Sequence, residues 1–155
     1  TNDAATTLPR LLEMHIEPYL VASTVNVIIA QRLVREVCKA CSKTRTATPA
    51  ELKTIQEGLR GIEKEIVPEI PSTLKVVDPQ GCIECNNTGY KGRVGIFEAI
   101  VADDALETFV AKSPSIAELR AYAQKTGMVS MYQDGLLKVL EKITTLTEVE
   151  RVTTD

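Results

Sequence analysis

Four cysteines are the residues best equipped for chemistry in this chain. Cys38, Cys41, Cys82 and Cys85 fall into two C-x-x-C pairs separated by 40 residues, with none left over. Each pair can aim two sulfurs at one ion from a tight knuckle, and four thiolates meet the tetrahedral demand of a structural zinc with no open position. The set predicts one tetrathiolate site holding zinc. Iron bound by four thiolates has the same geometry and stays open. Two unlinked thiol pairs or reversible disulfides stay open as well, because a cytosolic C-x-x-C can be redox-active. A redox pair typically stands singly at a helix start after a strand, whereas Gly81-Cys82-Ile83-Glu84-Cys85 trails into Asn86-Asn87-Thr88-Gly89 as a metal knuckle does. A zinc tetrathiolate is doubly negative, and Lys39, Lys43, Arg45, Lys91 and Arg93 stand close enough in sequence to offset it.

Other chemistry is sparse. The sequence contains no G-x-x-x-x-G-K-[ST] loop, no G-x-G-x-x-G turn and no H-E-x-x-H helix. No catalytic residue is assigned. His15, the single histidine, is expected near the end of the first helix, where its charge suits the helix C-terminus. It is the only base that any Ser or Cys could use, so nucleophilic catalysis has little support.

The elements that position the cysteines can be read from periodicity and caps. Asn2 or Asp3 can cap a helix with apolar positions at Leu8, Leu11, Leu12 and Ile16; Glu17-Pro18 stops it and starts another. Gln31 to Val37 reads as a strand that delivers Cys38. Thr48-Pro49-Ala50-Glu51 is a capping box opening a helix expected to run to about Ile66, with a solvated charged face from Glu51 to Glu65. Pro68 and Pro71 break it; Leu74 to Val77 reads as a short strand, and Arg93 to about Val101 as a longer one. From Asp103 onward the pattern is helical. Helices are expected from Asp104, from the capping box Ser115-Ile116-Ala117-Glu118 to near Gly127, over Ser130 to Glu141, and from a third box at Thr145-Leu146-Thr147-Glu148. Met128, Met131 and Tyr132 are expected to pack a small terminal bundle.

Composition narrows the function classes. In 155 residues, hydrophobic types make up 44% and charged types 25%, enough for one ordinary domain or a modest core with a metal-stapled insert. A net charge of −3 and 4% aromatic content without Trp argue against nucleic-acid binding through phosphates or base stacking. The apolar run from Leu20 to Val34 is interrupted by Ser23, Thr24, Asn26, Gln31 and Arg32, too often for a membrane span. No secretory signal opens the chain, which points to the cytoplasm. Opening at Thr1 without an initiator Met, it is expected to be a fragment of something longer.

An ordered set of motifs is shared with one family: Thr1-Asn2-Asp3-Ala4, Pro9-Arg10-Leu11, Met14-His15-Ile16-Glu17-Pro18-Tyr19-Leu20, Ala30-Gln31-Arg32-Leu33-Val34-Arg35, the two cysteine pairs, Thr88-Gly89-Tyr90-Lys91-Gly92-Arg93, Gly95-Ile96-Phe97-Glu98, Gly127-Met128 and Gln133-Asp134-Gly135-Leu136. Over Thr1 to Thr153 the chain resembles the C-terminal part of the secretion and pilus-assembly traffic ATPases, the extension motors of type II secretion and type IV pili. The resemblance implies an α/β fold: residues 1–37 as the second part of a RecA-like core, residues 38–102 as a zinc-bound α+β insert with its return strand, and residues 103–155 as a C-terminal helical bundle. It further implies a parent that binds ATP with magnesium and forms a hexameric ring on the cytoplasmic face of the bacterial inner membrane. That ring would drive pilin or pseudopilin assembly through an inner-membrane platform protein, with peripheral membrane association only. Thr1-Asn2-Asp3 resembles the end of the family's histidine box, placing Asn2 and Asp3 near the parent's nucleotide. The phosphate loop and catalytic glutamate would lie upstream, so this chain alone should not hydrolyse ATP. The family pattern has a small residue where His15 stands and a Gly at Glu141-Lys142, and both departures are expected to be tolerated surface changes. The alternative is a zinc-stapled protein-interaction module with no enzymatic parent. A zinc-ribbon nucleic-acid binder is disfavoured by charge and aromatic content.

Overall fold

A computed structural model describes residues 2–63 and 65–154 as a mixture of helices and short sheets. The elements are α1 (Thr7–Glu13), α2 (Pro18–Thr24), β1 (Val27–Val37), β2 (Lys43–Thr46), α3 (Pro49–Gly58), β3 (Lys75–Asp78), β4 (Tyr90–Val101), α4 (Asp104–Val110), α5 (Ile116–Lys125), α6 (Met131–Leu140) and α7 (Leu146–Thr153). Among the described residues two two-stranded sheets form, β1 with β4 and β2 with β3. Among the described residues, no helix is long and apolar enough to cross a membrane.

The chain groups into two compact units. One takes residues up to Gln31 with Phe97–Ser130, the other Arg32–Ile96 with Met131 onward. In this grouping α4 and α5 belong to the first unit, α6 and α7 to the second. In the first, Leu8, Val21, Ile28, Ile100, Leu106, Val110 and Leu119 form the apolar core. The Glu98 side chain is buried there and accepts the Ala4 N–H at 2.6 Å. In the second, α6 packs on α3, β3 and α7. Gly135 permits the α6–α7 approach, since a Cβ there would lie 2.5 Å from Val149 Cγ1.

Local sequence rules explain most element ends. The Thr48 and Ser115 boxes close as expected, each hydroxyl accepting from an amide while Glu51 or Glu118 returns the bond. The helix opened by Thr48 stops at Gly58 rather than near Ile66, because Gly58 and Gly61 weaken helix propagation and Gly61 turns to φ +86°. Its expected charged face is therefore cut short, and Lys64 of that face lies outside the described residues. The strand expected from Arg93 already begins at Tyr90.

Three helices end in the same way. Gly127 after α5, His15 after α1 and Lys142 after α6 all adopt positive φ, and the next amide reaches back: Met128 to Ala123, Ile16 to Leu11, Ile143 to Lys138. His15 and Lys142 are thus more than surface changes, for each holds a left-handed conformation that suits glycine.

Candidate metal centre

β1 carries the chain to Cys38, whose carbonyl accepts the Ser42 N–H at 2.9 Å and closes the first knuckle. β2 leaves this knuckle and pairs antiparallel with β3, Lys43 opposite Asp78 and Thr46 opposite Lys75. That register returns the chain beside the first knuckle, where Pro79-Gln80-Gly81 lead into the second. Ile83–Cys85 form a single 3-10 turn, and Asn86 and Asn87 follow with φ of 51° and 58°. Asparagine tolerates this left-handed pair better than most residues. The Asn87 amide closes the second knuckle on the Cys82 carbonyl at 2.8 Å, and the Cys38 amide ties the first knuckle to the second through the Gly89 carbonyl at 2.9 Å.

The four sulfurs lie within 4.8 Å of one another. Cys38 to Cys82 is 3.9 Å, Cys41 to Cys85 3.8 Å and Cys82 to Cys85 3.7 Å. A tetrahedron with metal–sulfur bonds of about 2.3 Å has edges of about 3.8 Å, so the donor set fits zinc in size as well as in chemistry. The distances are far from the roughly 2.05 Å of a disulfide, and all four cysteines are free. Cys38 and Cys85 are buried; Cys41 and Cys82 are partly exposed.

The family model for type II/IV secretion system proteins matches residues 1–151. The chain belongs to that family. It is 42% identical over 149 residues to a type IV pilus assembly ATPase PilB of Myxococcus xanthus, covering 96% of this chain and 25% of the relative. A PilB of Pseudomonas aeruginosa is 41% identical over 155 residues, covering 100% and 26%. Type II secretion system protein E of the same species is 40% identical over 153 residues, covering 99% and 28%. The chain thus spans about a quarter of the length of these curated relatives.

Backbone amides reach the sulfurs directly in this family member. Gly81 donates to Cys41 Sγ at 3.3 Å, while Cys82 and Gly89 donate to Cys85 Sγ at 3.2 and 3.3 Å. Burial pushes the Cys85 thiol up, but the Cys82 and Gly89 amides, joined by the neighbouring thiols, bring it down to about 6. For Cys41, burial and donation to its sulfur neighbours outweigh the Gly81 amide and push it up to about 11. Two backbone amides thus aim at the Cys85 sulfur and one at the Cys41 sulfur.

The expected basic surround is only partly realised. Lys91 pairs with Glu84 at 3.2 Å; its pKa is raised by that carboxylate first, with smaller contributions from Cys38 and Cys82. Arg45 is committed elsewhere, donating to both Glu51 oxygens at 2.7 and 2.6 Å and lying 3.7 Å from Asp78. Lys39, Lys43 and Arg93 extend into solvent.

Asn2 and Asp3 belong to the first unit, the cysteines to the second. Asp3 accepts the Thr6 amide at 2.8 Å and pairs with Arg120. Burial acts against its charge, but the Thr6 amide and hydroxyl and Arg120 hold its pKa below the ordinary value. Asn2, Thr6, Pro9, Arg10, Glu13 and Ile116 line a cavity of about 240 Å³. Thr1, the first residue of that motif, lies outside the described residues.

A second polar cluster was not foreseen. Glu148, expected to complete a capping box with Thr145, instead gives its buried carboxylate to Arg35 at 2.7 Å and to Arg151 at 2.7 and 2.9 Å, and accepts the Arg35 amide at 3.0 Å. Thr145 still caps α7, but without reciprocity. Arg35 lies over the Tyr90 ring at 4.3 Å, and the Tyr90 hydroxyl meets Thr145 at 2.9 Å. The sequence signal was faint: Glu148 has Arg151 three residues on along the helix, but nothing local points to Arg35.

Proposed function

We propose that this chain is the C-terminal part of a hexameric motor ATPase that powers pilin or pseudopilin assembly in type IV pilus or type II secretion systems. One observation carries this reading: similarity of about 40% identity over nearly the whole chain to relatives named for those two tasks. The full-length protein binds ATP with magnesium in a RecA-like core, with Asn2 and Asp3 near the nucleotide. It works as a ring of six copies at the cytoplasmic face of the inner membrane, bound peripherally through a platform protein.

The contribution of this chain is mechanical. Cys38, Cys41, Cys82 and Cys85 hold zinc, which when bound supplies a structural crosslink, all four positions being taken by thiolate. Ile55, Leu59, Leu74, Val76 and Val77 give the β2–β3 ribbon and α3 a small apolar core shared with α6, and metal binding adds to their ordering free energy. Phosphoryl transfer needs a phosphate cradle, a metal-holding residue and a group that positions water, and the motifs for these are not among the residues of this chain.

The test has two readouts. Elemental analysis of the purified chain is expected to give one zinc per chain, with four thiols titratable only after chelation. In the complete gene product, Cys82→Ser is expected to depress ATP hydrolysis and pilus or secretion output. A metal-free chain with freely titrated thiols would remove the zinc, and a complete product without ATPase activity would remove the motor.

A further inference from the structure

Gly81 and Gly89 bracket the second knuckle, and each reaches the first. The Gly81 amide donates to Cys41 Sγ. The Gly89 amide donates to Cys85 Sγ, and the Gly89 carbonyl accepts the Cys38 N–H. Both adopt positive φ, 103° and 77°. An added Cβ would lie 2.8 Å from the Asn87 carbonyl oxygen at Gly81 and 2.6 Å from Pro79 Cβ at Gly89. Conformation and space therefore both bar a side chain, and what each residue offers the site is its backbone.

We propose that Gly81 and Gly89 are positioning residues of the metal centre. Their amides hold the Cys41 and Cys85 sulfurs as ligands and neutralise part of the charge of the tetrathiolate. This rests on the zinc reading above. A fixed N–H aimed at sulfur favours the charged form and gives the sulfur an orientation. Side-chain cations do this less well here, since Arg45 is held by Glu51 and Lys91 is solvent-exposed and paired with Glu84. Partners of this kind around metal ligands are worth about 10- to 100-fold in metal affinity.

The experiment measures zinc affinity of the whole chain by chelator competition. Gly81→Ala and Gly89→Ala are compared with a chain carrying glycolate at position 89, which turns the N–H into an ester oxygen and adds no atom. Gly61→Ala is the control for backbone strain, because Gly61 has φ +86° and a Cβ there would meet nothing within 4 Å. Gly81→Ala, Gly89→Ala and the glycolate chain are each expected to bind zinc about 10- to 100-fold more weakly, with Gly61→Ala unchanged. A glycolate chain that holds zinc as tightly as the parent would overturn the proposal, whatever Gly89→Ala does, since the amide would then be dispensable. If the unsubstituted chain takes up no zinc on its four thiols, the metal reading fails first and the proposal with it.

Discussion

The thiol cluster, with Cys38 and Cys85 buried, and the Glu148 carboxylate both draw polar groups out of water within the second unit, but they meet the cost of burial differently. Glu148 arrives with its countercharges: two arginines and a backbone amide from α7 and β1 surround a side chain that is 0% exposed. The guanidinium side chains stay 42% and 56% exposed, so only the carboxylate is fully desolvated. The sulfurs have amides and the exposed Lys91 nearby, but no committed side-chain cation, and as thiolates they would repel one another. The Glu148 carboxylate is satisfied by protein groups alone, although Arg35 Nε is left buried without a partner; the thiol cluster has the donor set of a metal site. An internally paired carboxylate fixes one arrangement without any ligand, whereas a metal cluster makes folding conditional on the ion.

Removing the ion is the largest way to break this contrast. Chelation, or Cys82→Ser, is expected to remove a binding free energy on the order of 10 kcal/mol. Hydrogen exchange should show lost protection in β2 and β3 and retained protection in α4 and α5; collapse of all helices together would contradict a local role. Next in size is Glu148→Ala, which leaves Arg35 and Arg151 without their shared acceptor. It is expected to cost about 3 kcal/mol in urea unfolding while leaving zinc content at one per chain.

Acid sharpens the same comparison. Burial works against the Glu148 carboxylate, but Arg151, Arg35 and the Arg35 amide hold its pKa down to about 2, against an ordinary 4.5. Its folded value is depressed, so its stabilisation is fully present above about pH 4.5 and is lost as pH falls through about 2. Glu51 behaves likewise: its Arg45 pair, outweighing burial, holds it at about 2. Glu148→Gln should flatten this part of the acid limb, and an unchanged pH profile would show that the carboxylate is not ionised by its arginines.

Smaller effects belong to the helix ends. Thr145→Ala removes the α7 cap and the Tyr90 contact and is expected to cost about 1 kcal/mol. Lys142→Gly should stabilise the chain by about 1 kcal/mol, because Lys142 is exposed and holds φ 62°. A destabilised Lys142→Gly chain would mean that the lysine side chain contributes more than its backbone costs.

Much of this molecule was written locally. Cysteine spacing, the Thr48 and Ser115 boxes, the Pro18 restart and the Gly127 stop depend on residues within a few positions of one another, so one dimension suffices to read them. Two knuckles can be read as one site because thiolates in paired turns have few other uses. The end of α3, the pairing of β2 with β3 and the fate of Glu148 could not be read in this way. Gly58 and Gly61 weaken the helix locally, but the turn there also rests on packing, since a Cβ at Gly58 would lie 2.4 Å from Leu136 Cδ1 and 2.9 Å from the Tyr132 ring. Thr145-x-x-Glu148 is a sound capping box in isolation, but a buried carboxylate goes to the strongest donors within reach, and Arg35 lies 113 residues away in sequence. Sequence determined which groups could bind or cap; tertiary structure determined which partners they met, because desolvation makes the long-range ion pair outweigh the local hydrogen bond.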